Sequence, residues 1–229
     1  MQADARTCRG RTLEAQRPQR SAMLAVCLDL EGVLIPEIWI NVAERTGINA
    51  LTRTTREEPD YDRLMSYRLG ILDQNDIKID DITSTIGSME PMDGAIEFLN
   101  SLESRWPTII LSDTFSQFAK PMMEKLGNPT LLCHTLSIDD SGRIEDWNIR
   151  CEDHKRKTVE SLIEMNFQVI AAGDSYNDTS MLSAASAGIL FKPPDNVIEE
   201  FPQFPVAREY SELINEIESA ATDLGELWN

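Results

Sequence analysis

The chain has 229 residues, 41% of them hydrophobic, enough for one α/β domain with an insertion and a sizeable buried core. A formal net charge of -18 argues against nucleic acid as a partner, because duplex binding depends on basic patches that neutralise phosphates. No apolar run approaches the ~18 residues that span a bilayer, so a membrane partner is not expected either.

Residues 1–22 carry Arg6, Arg9, Arg11, Arg17 and Arg20 against Asp4 and Glu14, without hydrophobic periodicity or the apolar core of a secretory signal. They are expected to form a disordered basic leader. Because Met23 directly opens a strand, an over-extended start or a dispensable tail fits better than a transit peptide. The four cysteines, Cys8, Cys27, Cys133 and Cys151, show no CxxC and no zinc-type spacing, and read as reduced thiols of a cytoplasmic protein.

The stretch from Met23 to Leu34 organises the rest. An apolar run, Met-Leu-Ala-Val-Cys-Leu, ends on Asp29 and Glu31 just ahead of Gly32. That is a buried strand delivering acids to its carboxyl end, where open parallel sheets place their chemistry. One carboxylate there can attack phosphorus, and another two residues on, pointing to the same side, can move a proton. A strand running into an acidic turn gives the same letters, so the pair alone does not decide.

Beyond Pro36, Ile38 to Arg45 reads as a helix stopped by Gly47, and Asp62 to Leu72 and Asp80 to Ile86 as two more, with Asp60 or Asp62 and Asp80 as N-caps. Nothing between Glu37 and Glu90 reads as a strand. Roughly fifty helical residues are too many for an ordinary loop and suit a lid over a strand-end site. The α/β rhythm then resumes. A helix through Ala95 to Leu99 precedes the strand Thr108 to Leu111, which ends on Ser112, Asp113 and Thr114. A helix from Phe118 to Leu126 stops at Gly127, and Leu131 to Ile138 and Arg143 to Ile149 flank the hairpin signal Asp139-Asp140-Ser141-Gly142. A helix after Asp153 presents Val159, Leu162 and Ile163 on one face. The strand Gln168 to Ala172 runs into Gly173-Asp174-Ser175-Tyr176-Asn177-Asp178. A helix through Met181 and Leu182, a strand Gly188 to Phe191 and a helix near Leu213 to Ile217 complete the chain.

Three strand ends thus carry Asp29 with Glu31, then Ser112, then Asp174 with Asp178, and Lys155 precedes the last of these strands. Phosphoryl transfer needs this inventory: a carboxylate nucleophile, further acid for a divalent cation, and a hydroxyl and an ammonium for the phosphoryl oxygens. The cluster Lys155, Arg156, Lys157 is also what a solvated helix start looks like, and Lys157 competes with Lys155. Asp178 also suits a helix N-cap. His134 and His154 are expected to be structural or exposed, since neither has a partner that completes a ligand set. Trp39, Trp106 and Trp147 read as core.

In order and spacing, Asp29, Ser112, Lys155, Asp174 and Asp178 resemble the motifs of the haloacid dehalogenase superfamily of aspartate-nucleophile phosphatases. The segments Asp-Leu-Glu-Gly-Val-Leu-Ile-Pro-Glu-Ile-Trp-Ile, Leu-Ser-Asp-Thr-Phe and Ala-Ala-Gly-Asp-Ser-Tyr-Asn-Asp are similar to its bifunctional phosphoserine phosphatase/phosphoserine:homoserine phosphotransferase branch, over about residues 23 to 215. The resemblance implies a doubly wound, Rossmann-like parallel sheet with a small helical cap inserted after the first strand. Residues 23–36 and 91–229 would be the core domain and 37–90 the cap.

It further implies phosphorylation of Asp29, with Glu31 as acid and base. Mg2+ would be held by Asp29, the backbone carbonyl of Glu31, and Asp174. Ser112, Lys155 and Asn177 would hold the phosphoryl group, with Asp113 beside them and Asp178 in support. Glu37 and Arg68 would bind the amino and carboxylate groups of O-phosphoserine. Bottom-up, Arg68 is not separable from Arg45, Arg53, Arg56 and Arg63. Glu31 stands where the superfamily usually has Asp, and Asp113 where ordinary phosphoserine phosphatases have Gly; both departures match the bifunctional branch. Homoserine as an acceptor and a homodimer are compatible with the resemblance. A phosphatase for another small phosphomonoester, or a receiver-like phospho-aspartate module, would share the same inventory.

Overall fold

The computed structural model describes residues 22–54, 57–58 and 60–225, so the expected leader lies, but for Ala22, outside the described residues. Among the described residues seven strands form one sheet: β1 (Met23–Leu28), β2 (Thr108–Phe115), β3 (Leu131–Ile138), β4 (Ile144–Asn148), β5 (Phe167–Gly173), β6 (Ala187–Phe191) and β7 (Val206–Ala207). Their order is β4-β3-β2-β1-β5-β6-β7, and every pairing is parallel except β3 with β4. The chain therefore winds from β1 outward to β4, returns, and winds the other way from β5 to β7. β1 lies at the reversal, the point where doubly wound sheets open a crevice beyond their carboxyl ends.

The apolar run of β1 is covered on both faces, and strand alternation divides it between them. Leu24, Val26 and Leu28 join Ile110, Ile170, Ala172 and Phe191 in one cluster, while Cys27 joins Leu111, Val169, Ala171 and Leu190 in the other. The second face is closed by Val159 and Leu162 of α6 (His154–Glu164) and by Met181 and Leu182 of α7 (Thr179–Ala184). Ile163, expected on the buried face of α6, is instead exposed, because it falls about 100° further round the helix than Leu162. The first face is closed by α4 (Ala95–Glu103), α5 (Ser116–Lys125) and α9 (Tyr210–Asp223), through residues such as Phe98, Phe118 and Leu213.

Between β1 and β2 the described residues contain no strand. Ahead of α4 they form α1 (Ile38–Thr46), a 3-10 turn (Asn49–Thr52), α2 (Tyr61–Gln74) and α3 (Ile79–Gly87). Gly47 ends α1 with φ +72°, as its position suggested. Asp60 caps α2, accepting from the Arg63 amide at 3.1 Å. At α3 the expected cap, Asp80, is already inside the helix; Asp81 reaches back to the Lys78 amide at 2.9 Å. The hairpin loop braces this helical segment: Arg143 forms a two-pronged ion pair with Asp73 of α2, at 2.7 and 2.6 Å, and Trp147 Nε1 donates to Asp62. The Gly142 carbonyl accepts from Ile79 of α3.

Among the α-helices and strands, two are absent from the sequence reading, α8 (Asp195–Glu200) and the two-residue β7; both are shorter than a periodicity signal. β2 continues four residues further than expected, so Ser112 and Asp113 lie inside it, at an irregularity in its pairing with β3. No helix among the described residues is long and apolar enough to cross a membrane.

Cys27 is fully buried at the centre of the sheet, and burial pushes its thiol up to about 12. Replacing it with Ser strands a hydroxyl among aliphatic side chains. Cys27→Ser is expected to lower the unfolding free energy by roughly 2 kcal/mol in a urea titration, and Cys27 itself should react with thiol reagents only on unfolding.

Candidate active site

Asp29 follows β1 directly, its amide donating to the Ala172 carbonyl of β5 at 2.9 Å. The turn beyond it is fixed by buried Leu30, Val33, Leu34 and Ile35, and its amides close on the Leu30 carbonyl. Glu31 reaches the start of α1. One of its oxygens accepts the Ile38 amide at 2.8 Å, satisfying an orphan donor at the start of α1. Gly32 takes φ +76°, and a Cβ there would lie 2.6 Å from the Asp174 carboxyl carbon. The backbone of the first strand-end turn therefore touches the acid of the β5 strand end.

Lys155, in the first turn of α6, is buried, and its ammonium lies 2.8 Å from an oxygen of Asp29, 2.8 Å from one of Asp178 and 3.5 Å from one of Asp113. Lys157 is exposed, which settles which lysine enters the site. Asp178, fully buried, spends its other oxygen on the amides of Asp174 and Ser175. It stands at the N-cap position of α7 but bonds backward into the loop rather than to that helix. Ser112 is buried in β2, its hydroxyl accepting the Thr114 amide.

One cavity of about 410 Å3 is lined by Asp29, Glu31, Glu37, Arg68, Ser112, Asp113, Lys155, Asp174 and Asn177. Every predicted site residue thus faces a single space except Asp178, which lies beneath it. Among the described residues of the helical segment, Arg68 is the buried arginine. Its guanidinium stacks 4.5 Å above the Trp39 ring, one nitrogen donates to the Arg53 carbonyl, and its Nε has no hydrogen-bond partner among the described residues.

The electrostatics follow from this crowding. Burial, then the neighbouring carboxylates of Asp178 and Asp174, push Asp29 well above the usual carboxylate range, against the pull of Lys155. Burial, then Asp178 and Glu37, bring Asp174 up to about 7. Oxygens of Asp29, Asp174 and Asp178 lie within 4.8 Å of one another. Hard oxygen donors that repel each other in a buried site fit a divalent cation, which would relieve the repulsion. Asp178 is already engaged on both oxygens, so Asp29 and Asp174 are the acids placed to hold it.

A model of the haloacid dehalogenase-like hydrolases matches residues 23–186. The chain belongs to that family. Phosphoserine phosphatase ThrH of Pseudomonas aeruginosa is 54% identical over 200 residues, which cover 87% of this chain and 98% of that protein. A phosphoserine phosphatase of Pseudomonas syringae pv. tomato is 52% identical over 200 residues, 87% of this chain and 84% of its own length. The fold matches a solved phospho-aspartyl intermediate analogue of phosphoserine phosphatase with a TM-score of 0.70 at 20% identity, over 86% of this chain and 99% of that one.

Within this haloacid dehalogenase-like hydrolase two expectations need correction. Trp39 is not simply core: it lines the cavity and carries Arg68 on its face. His134 and His154 are buried and meet at Asp113, a set invisible in sequence because parallel pairing of β3 with β2 and the start of α6 create it. Tyr61, at the first turn of α2, also lines the cavity, and its hydroxyl donates to the Asp113 carbonyl at 3.3 Å. Its place beside an N-cap gave no chemical signal.

Gly32→Ala forces the turn and Asp174 apart. It is expected to weaken divalent-cation binding at least about tenfold in a calorimetric titration with Mn2+, while the thermal midpoint moves far less than for a core variant.

Proposed function

We propose that this hydrolase is a Mg2+-dependent phosphoserine phosphatase acting through an aspartyl-phosphate on Asp29, with homoserine able to replace water as phosphoryl acceptor. What supports it most is one cavity that has phosphoryl-handling groups on its floor and, on its wall, a buried guanidinium with an unfilled donor. A substrate carrying a phosphate at one end and a carboxylate at the other matches both. Two relatives named phosphoserine phosphatase are 54% and 52% identical to this chain over 200 aligned residues.

An Asp29 oxygen forms a bond to phosphorus as the ester P–O bond breaks. Glu31 protonates the departing alkoxide; burial first and Glu37 second push its carboxyl up to about 8, so it carries the proton at neutral pH. Water then attacks the phosphorus of the phosphorylated Asp29, Glu31 takes its proton, and Asp29 and inorganic phosphate are released. An alcohol entering in place of water gives a new ester by the same sequence. Lys155, Ser112 and Asn177 hold the phosphoryl oxygens. Asp29, Asp174 and the Glu31 carbonyl would hold Mg2+, which when bound neutralises charge on the phosphoryl group.

Arg68 would take the substrate carboxylate and Glu37 its ammonium. Burial brings Arg68 down to about 10, against the pull of Tyr61, Glu31 and Glu37, and it stays cationic. Residues 37–90 would act as the cap, excluding water from the first step.

Phosphorus NMR with phosphoserine and Mg2+ tests the reading: a phosphate signal is expected, with a second ester signal on adding homoserine. No phosphate from phosphoserine, with turnover of another phosphomonoester, would transfer the enzyme to that substrate. Asp29→Asn should abolish turnover with the fold intact, and Lys155→Ala should cost roughly 3 kcal/mol of transition-state stabilisation in kcat/KM. Arg68→Ala should raise KM for phosphoserine at least about tenfold while leaving hydrolysis of p-nitrophenyl phosphate, which has no carboxylate, nearly unchanged.

A further inference from the structure

Asp113, His134 and His154 form a second cluster, their ligand atoms within 4.8 Å of one another. Beside it lies a cavity of about 620 Å3 that meets the first at Tyr61, Asp113 and Asn177. Two imidazoles and a carboxylate are a common set for a transition metal, but the hydrogen bonds around the rings exclude that use. The Arg150 amide donates to His134 Nδ1 at 3.2 Å, and Arg150 Nη2 lies 3.0 Å from His154 Nδ1. An amide and a guanidinium only donate, so both Nδ1 atoms accept and each neutral ring carries its proton on Nε2. Burial favours the neutral ring at His154. Both Nε2 atoms face one oxygen of Asp113, at 3.1 Å from His154 and 3.7 Å from His134. The lone pairs a metal would need are taken up by protons.

The same geometry gives the cluster another task. Asp113 is the half-exposed partner of Lys155, and its second oxygen lies 3.5 Å from that ammonium. Its backbone is tied to α2 by Tyr61. We propose that His154, set by Arg150 as an Nε2–H donor and packed edge-on against His134, is a positioning residue that holds Asp113 still and thereby fixes where the Lys155 ammonium meets the phosphoryl group. This rests on the role given above to Lys155. Arg150 acts from outside both cavities, so the orientation of a group in the active site is set from a residue that never touches substrate.

A double-mutant cycle on kcat, measured with p-nitrophenyl phosphate, tests the proposal whether or not phosphoserine is the substrate. His154→Phe should lower kcat about tenfold and leave KM within about twofold. His154→Gln, whose amide can accept from Arg150 and donate to Asp113, should restore kcat to within about twofold of the parent. Asp113→Ala should show a loss similar to that of His154→Phe, and adding His154→Phe to it should cost nothing further, because the histidine would act only through the missing carboxylate. Losses that multiply in the double variant would overturn the proposal, as would a glutamine variant no better than phenylalanine. A readout independent of activity is nitrogen-15 NMR of the parent protein. Nε2–H tautomers on both rings, unmoved by Zn2+, are expected; an Nδ1–H ring or a zinc-induced shift would return the cluster to metal binding.

Discussion

Everything in the catalytic cavity depends on one buried ammonium. Lys155 lies among Asp29, Asp178 and Asp113, three carboxylates contributed by different segments of the chain. Burial alone would strip its charge, yet the three acids hold its pKa well above the usual lysine value. A buried charge is tolerated only when fully paired, and taking away one partner leaves the other uncompensated at a cost of about 3–5 kcal/mol. The lysine is therefore a structural tie as well as a chemical group: it draws the ends of β1, β2 and β5 to one point. Asp178 shows the same economy of parts, with one oxygen on the lysine and the other closing the loop that carries Asp174.

The strand ends were legible because they combine two signals that rarely coincide, a continuous apolar run and an abrupt polar group of defined chemistry. Asp29 and Asp174 follow that rule just past their strands, Ser112 follows it inside β2 at the break in its pairing, and the structure gathers all three where the sheet reverses its winding. The helical segment was legible as helices and not as a binding wall. Periodicity finds the buried face of α2 but does not say that Arg68 belongs to it, since a buried arginine breaks the pattern that finds helices. Only the likeness of motifs to a known family separated it from its neighbours.

What stayed hidden has a common cause. Asp113, His134, His154 and Arg150 are adjacent only because β3 lies parallel to β2 and α6 begins beside them, and no spacing rule records such a meeting. The two histidines read as unpartnered in sequence; in space each has a donor on Nδ1, and both Nε2 atoms face Asp113, at 3.1 Å from His154 and 3.7 Å from His134. Trp39 was misplaced for a similar reason. An aromatic near a helix start packs against core and offers a face to a cation equally well, and the guanidinium comes from another helix. The shortest elements, β7 and α8, have too few residues to show any period.

The contact between Gly32 and Asp174 ties two parts of the molecule that are far apart in sequence. The peptide of one turn and the carboxylate of another occupy touching volumes, so the first loop cannot shift inward without pushing that acid away from Asp29. Spacing between the two oxygen donors is thus built into the main chain and does not hinge on side-chain rotamers. Sequence variation in this pair of turns should consequently be correlated: a bulkier residue in the first would be tolerated only alongside a retreat of the second.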